Sequence, residues 1–318
     1  MVEGKAVACV GAGLIGRAWA IVFARGGHQV RLHDENHAAA EAARDFAEDV
    51  LSGLAEEGLL NGAKPAEVLA RISAVHDIEE ALSGASYVQE STREDLEVKR
   101  TVFARLDALA DEGATIASSS SAILPSAFTE NLAGRHRCLV VHPINPPYLV
   151  PAAEVVPAPW TDRAIRDGAA GFLRDCGMAP IVMEREIDGF VMNRMQGALL
   201  EEAFRLVGEG YASIEDVDVG IREGLALRWS FMGPFETIDL NAPGGVRDYA
   251  ERYQQIYERL FPSMQHRVDW SGPVMDVVEA ERRKRLPEDK LAERHIWRDR
   301  RLMALIAHKR RAARDIGE

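Results

Sequence analysis

Residues 5–16, Lys-Ala-Val-Ala-Cys-Val-Gly-Ala-Gly-Leu-Ile-Gly, decide the fold. The run 5–10 reads as a buried strand, and Gly11-Ala12-Gly13-Leu14-Ile15-Gly16 follows it as G-x-G-x-x-G, opening an apolar helix predicted over 14–25. Such a motif alone is weak, because small residues recur by chance. Between a strand and a helix it is a dinucleotide turn: Gly11 permits the tight bend, Gly13 lets backbone approach a pyrophosphate, and Gly16 allows close helix packing. The helix N-terminus then offers N–H groups and the positive end of its dipole to the anion. Gly26 and Gly27 end the helix, and a second strand at 29–33 stops at Asp34. A carboxylate at that spacing accepts hydrogen bonds from the adenosine ribose and repels a 2'-phosphate. No Arg follows in Glu35-Asn36-His37, so the expected cofactor is NAD.

Working outward, a helical pattern rich in Ala, Glu and Leu runs to about Leu60. Strands are then expected near 87–89, at 115–117 and 138–141, with a helix at about 95–109, and another helix at 163–176 precedes a strand at 181–183. Strands alternating with helices predict a parallel doubly wound sheet. Beyond Asp188 only helical periodicity remains, around 190–209, 214–223, 233–241, 247–260 and 290–314. The predicted class is therefore α/β: a Rossmann-type doubly wound sheet domain over 1–187, then an all-α helical domain over 188–318. Ser213 and Asp216, after the breaker Gly210, resemble a capping box that starts one of the helices.

The 318 residues suffice for two self-supporting cores. A formal charge of -12 gives a field that repels phosphate backbones and anionic headgroups, which argues against nucleic-acid and membrane partners. An anionic cofactor or substrate must be held by local positive features. The basic C-terminal run is interleaved with Glu and Asp and reads as a solvated or interface helix face. Cys9, Cys138 and Cys176 are an odd count, two of them inside apolar runs, which suggests buried reduced thiols and a cytoplasmic protein. No signal segment and no apolar run near 18 residues is evident, and no residue is assigned to a metal.

Ligands of doubly wound sheets sit at the C-terminal ends of strands. There the chain places the serine run Ser118–Ser121 after one strand and His142-Pro143-Ile144-Asn145-Pro146 after the next. Glu154 lies twelve residues beyond His142, and Asn193 stands early in the first helix past the boundary, in Gly189-Phe190-Val191-Met192-Asn193-Arg194. Alcohol oxidation needs a base for the hydroxyl proton as hydride leaves carbon; His suits it, a carboxylate on its other nitrogen fixes the tautomer, and Ser and Asn align the oxygen. Taken singly, a lone His is more often structural and a serine run is commonly a loop.

Together, the Gly-rich turn, Ser, His-x-x-Asn-Pro, Glu and Gly-Phe-x-x-Asn-Arg stand in an order and spacing similar to the 3-hydroxyacyl-CoA dehydrogenase family, over nearly the whole chain. The resemblance implies a His142–Glu154 dyad, Ser121 and Asn193 on the substrate oxygen, and Glu94 and Lys99 near the nicotinamide-side ribose. Ser119 and Ser120 stay open as alternatives to Ser121. It also implies a homodimer built through the helical domain. Within the family, His142–Tyr148, Arg228-Trp-Ser-Phe-Met-Gly-Pro-Phe-Glu236, Asp239–Ala242 and Trp297-Arg298-Asp299 resemble the lambda-crystallin or L-gulonate 3-dehydrogenase branch, with L-carnitine dehydrogenases as neighbours. The implied reaction is NAD-dependent oxidation of the 3-hydroxyl of a small anionic acid, L-gulonate. Carnitine, a 3-hydroxyacyl-CoA or a non-catalytic crystallin-like role are the alternatives. Arg228 is the candidate for the substrate carboxylate, against a structural pairing with Glu236 or another acid.

Overall fold

The computed structural model describes residues 6–317, so Lys5 at the start of the first predicted strand lies outside the described residues. In chain order the sheet region runs β1 (Ala6–Val10), α1 (Leu14–Arg25), β2 (Gln29–His33), α2 (His37–Glu56), α3 (Pro65–Leu69), β3 (Ile72–Val75), α4 (Ile78–Leu82), β4 (Ala85–Glu90), α5 (Leu96–Leu109), β5 (Thr115–Ser118), α6 (Pro125–Thr129), β6 (Cys138–Pro143), β7 (Ala152–Pro157), α7 (Arg163–Asp175) and β8 (Ala179–Val182). Among the described residues these strands form one sheet in the order β3-β2-β1-β4-β5-β6-β7-β8. Every pairing is parallel except β6 with β7. The predicted doubly wound sheet is the observed one, and its direction of winding reverses between β1 and β4, where such sheets take their ligands.

Parallel strands covered on both faces need apolar residues at successive positions, and β1 shows why Ala-Val-Ala-Cys-Val suffices. Val7 and Cys9 enter the core beneath α1, α2 and α7, while Ala8 and Val10 enter the core beneath α5 and α6. Helix α1 is buried from Ala18 through Arg25, so its sequence is apolar nearly all round.

The sequence reading lacks two strands. β3 is four residues long and sits at the sheet edge. β7, bounded by Pro151 and Pro157, turns back antiparallel on β6, so the stretch between His142 and Glu154 closes a hairpin whose second arm is a strand. Its prolines disguise it, because Pro donates no ladder hydrogen bond and demotes a strand pattern.

The chain divides into two compact units, one holding the sheet and residues through 192 together with 299–308, the other holding 193–298 and the residues after 308. The helices of the second region are α8 (Met192–Gly208), α9 (Ile214–Val219), α10 (Ala226–Trp229), α11 (Pro234–Leu240), α12 (Gly245–Leu260), α13 (Pro273–Arg285) and α14 (Leu291–Ile316). Ser213 caps α9 by accepting the Asp216 N–H, as its position predicts, and its hydroxyl donates to the Asp216 carboxylate. A π-helical segment, Gly220–Leu225, joins α9 to α10, so the helical run passes the predicted end at 223 and continues to Trp229. Met303 and Ala307 of α14 are buried in the core beneath α1, α2 and α7.

Candidate active site

The dinucleotide turn has the shape its glycines require. Gly11 sits at φ +97°, and a Cβ there would lie 2.7 Å from the Ser91 carbonyl. A Cβ on Gly16 would fall 1.7 Å from the Gly11 oxygen, whereas Gly13 faces open space. That pattern is a tight turn, a helix seated hard against it, and one backbone position left clear for a diphosphate. Leu14 is exposed on the first turn of α1, Ile15 is half-buried and Ala12 buried. Asp34 is set at the turn by its neighbours: one carboxylate oxygen accepts the Ala12 N–H at 2.8 Å, the other the Asn36 N–H at 2.9 Å. Each oxygen keeps a second lone pair for a ribose hydroxyl. A cleft of about 530 Å³ runs past Gly11, Gly13, Asp34, Thr92 and Arg105, and these residues fit the adenosine half of NAD.

The four serines separate by environment. Ser118 is buried and donates to Glu90 at 2.6 Å. Ser119 accepts from Trp19 Nε1 and Gln89 Nε2 and shares a hydrogen with Ser91. Ser120 is buried and donates to Glu94 at 2.7 Å. Ser121 is the exposed member, with its backbone N–H held by Glu94 at 3.0 Å. Glu94 thus stands under the serine turn. Lys99, paired by resemblance with a ribose, is only 1% exposed; its ammonium lies 2.7 Å from Glu90 and also reaches the Thr92 carbonyl, so it presents no open face to a ligand. Sequence reasoning missed Glu90. Its signal was a carboxylate ending an otherwise uncharged strand, Ala-Ser-Tyr-Val-Gln-Glu.

The hairpin of β6 and β7 places His142 directly opposite Glu154 in register. A cross-strand pair of that kind brings side chains together across twelve residues of sequence. His142 Nδ1 is 2.6 Å from Glu154 Oε2. The second oxygen of Glu154 accepts the N–H groups of Val191 and Met192, at 2.7 and 2.9 Å, where α8 begins. A fully buried carboxylate with both oxygens engaged cannot rotate, so it fixes the imidazole ring. Phe190 supports the same ring from the side, with centroids 5.7 Å apart. It adopts φ +49°, an unusual backbone for a bulky residue, and complete burial of its side chain holds it there.

Asn193 follows Met192 directly in α8 and, within the helical unit, lines a groove with Arg194, Glu201 and Arg267. Arg228 lies in α10, half-buried, with Nη1 3.5 Å from Asn241 Oδ1. It forms no ion pair with Glu236 among the described residues. No cluster of His, Cys, Asp or Glu able to hold a metal ion occurs among the described residues.

The sequence matches two family models in succession: 3-hydroxyacyl-CoA dehydrogenase, NAD binding domain, over residues 6–187, and 3-hydroxyacyl-CoA dehydrogenase, C-terminal domain, over 189–273. The chain belongs to the 3-hydroxyacyl-CoA dehydrogenase family. It is accordingly an NAD-dependent oxidoreductase acting on CH–OH groups. Relatives within the family include lambda-crystallin of Oryctolagus cuniculus, 39% identical over 96% of each chain. L-carnitine dehydrogenase of Streptomyces griseus is 39% identical over 78% of this chain and 73% of its own. Among solved structures, the NAD-dependent 5-formyl-3-hydroxy-2-methylpyridine 4-carboxylic acid 5-dehydrogenase superposes with a TM-score of 0.83 at 25% identity, covering 96% of this chain and 99% of that one.

Proposed function

We propose that the enzyme oxidises the 3-hydroxyl of a small free L-3-hydroxy acid, with L-gulonate, converted to 3-dehydro-L-gulonate, as the substrate. The observation that carries this reading is the buried His142–Glu154 pair. With Nδ1 committed to Glu154, His142 has Nε2 left to take the hydroxyl proton. The imidazolium so formed is stabilised by the fixed carboxylate. Ser121, the exposed serine, and Asn193 are the groups we assign to the substrate oxygen. The Gly11–Gly16 turn and Asp34 would hold NAD, which would supply the acceptor for the hydride leaving C3.

Arg228 favours a free acid over a thioester. In a protein of charge -12, a half-buried guanidinium outside any ion pair among the described residues is a local cation suited to gripping a carboxylate through two N–H groups. The helical unit also carries the homodimer contact in this reading. Val246, Tyr253, Ile256, Tyr257 and Leu260 expose an apolar stripe along α12 at helical spacing, which a second copy would cover. The buried thiols suit the reducing cytoplasm.

The test is steady-state oxidation with NAD of L-gulonate, L-carnitine, 3-hydroxybutyrate and 3-hydroxybutyryl-CoA. Highest kcat/KM on L-gulonate is expected; preference for the CoA thioester overturns the reading. Arg228→Met should lower kcat/KM for the free acids by about 10- to 100-fold and spare the thioester. Equal losses on both, or a lower Tm, would instead make Arg228 structural.

A further inference from the structure

The end of β4 holds an ion pair with no exposure to solvent. Glu90 is 0% exposed and its carboxylate collects five hydrogen bonds: Oε1 accepts from Thr92 N, Thr92 Oγ1 and Lys99 Nζ at 2.5, 2.5 and 2.7 Å, and Oε2 from Ser118 Oγ and Lys99 Nζ at 2.6 and 3.0 Å. The Glu90 carbonyl accepts the Ser119 N–H at 2.8 Å. Lys99 Nζ also donates to the Thr92 carbonyl at 3.1 Å and stands 4.0 Å from the second oxygen of Glu94. The first oxygen of Glu94 accepts Ser120 Oγ and the N–H groups of Ser121 and Ala122.

Stability does not account for this arrangement. The attraction within a buried pair is largely offset by the desolvation of both charges, and apolar replacements of equal volume are often as stable. The pair differs from an apolar filling in what it joins. It ties the turn after β4, the first turn of α5 and the end of β5 to one carboxylate, beside the Ser91 backbone that abuts Gly11. Lys99 further offsets the mutual repulsion of Glu90 and Glu94, two carboxylates that bind successive turns.

We propose that Glu90 and Lys99 are positioning residues: their buried pair sets the turn at 91–94 and, through Glu94, the turn at 120–122, so that Ser121 is presented in one fixed place. This rests on Ser121 being the serine that meets the substrate. A misplacement of about 1 Å in such a group costs on the order of 10²-fold in rate.

The experiment compares Glu90→Gln, Lys99→Met and the double variant Glu90→Leu/Lys99→Leu with the parent. It measures Tm, NAD affinity by fluorescence titration, kcat on whichever acid the parent oxidises, and hydrogen exchange of 119–123 by mass spectrometry. Each single variant, leaving one buried polar partner behind, should lower Tm. The double variant should regain Tm, yet keep kcat at saturating NAD about 10- to 100-fold low and exchange at 119–123 at least about tenfold faster. Should the double variant fail to fold, Glu90→Gln, which keeps the shape and can still accept from Ser118, is compared in kcat and exchange below its Tm, and parental values of both overturn the proposal. A double variant that regains Tm together with parental kcat and parental exchange overturns the proposal, as does faster exchange with unchanged kcat. A parent inactive on every acid would fail the substrate reading alone, since the exchange measurement needs no substrate.

Discussion

The sheet unit and the helical unit treat their apolar residues in opposite ways. In the first, Trp19, Phe23, Leu51, Leu54 and Phe103 are fully buried, and α1 is solvent-free over most of its length. In the second, α9, α10, α12 and α13 contain no buried residue, while Phe231, Phe235 and Leu240 are at least 70% exposed. Apolar surface left open on that scale marks a face that another surface covers. The sheet unit therefore completes its own core within one chain. In the proposed reading, a second copy of the chain covers the apolar surface that the helical unit leaves open. Changes to the chemistry and changes to assembly should then separate by unit.

The largest expected effect comes from the sheet unit. His142→Ala or Glu154→Gln should lower turnover by about 10²- to 10⁴-fold, because in the proposed mechanism each removes the proton acceptor or the group that orients it. The double variant should be little worse than either single one. NAD affinity and oligomeric state should not move. A His142→Ala enzyme with parental activity and pH profile would show that this pair is not the base. Next comes the cofactor end of the same unit. Asp34→Ala removes a carboxylate with a lone pair on each oxygen left for the ribose, and should weaken NAD binding by about 1.5 to 3 kcal/mol, roughly 10- to 150-fold in Kd. Equal efficiency of the parent with NADP would contradict the reading of Asp34.

The helical unit should respond differently. Ile256→Asp with Leu260→Asp places two charges on the exposed stripe of α12. Sedimentation should then show a smaller species, and Tm should lose its dependence on protein concentration, while NAD affinity stays at the parental value. An unchanged sedimentation coefficient would move the covered face elsewhere.

The same contrast explains what was legible in the sequence. The turn at Gly11–Gly16 and the acid at Asp34 were readable because their geometry is local: a strand, a tight turn and a helix lie within 30 residues. The His142–Glu154 pairing depends on a hairpin register that no local pattern displays, and Pro151 and Pro157 hid the strand that sets it. Glu90 was passed over because its five hydrogen bonds come from Thr92, Lys99 and Ser118, three segments that only the folded sheet brings together. The four serines look alike in sequence and differ only in what lies beneath each of them.

The smallest effect tests how tightly the sheet unit is closed. Its three cysteines are buried and free, and Cys176 packs so near Gly26 that a Cβ there would lie 2.9 Å from its sulfur. Burial pushes the Cys138 and Cys176 thiols from 9.0 up to about 12, with Asp107 and Asp175 adding to the rise, and burial pushes Cys9 higher still. A thiol whose folded value is raised stays protonated in the native state while the unfolded chain ionises. Its contribution is therefore full below pH 9 and is lost as the pH climbs from about 9 toward 12. At pH 7.5, iodoacetamide should label none of the three until denaturant is added, and Cys138→Ala should reduce the fall in urea midpoint between about pH 8 and 10. The helical unit has no cysteine, so thiol labelling in the native state would report opening of the sheet unit specifically. Rapid native labelling of Cys9 or Cys176 would mean that the core beneath α1 opens readily and that the two units differ less than their burial suggests.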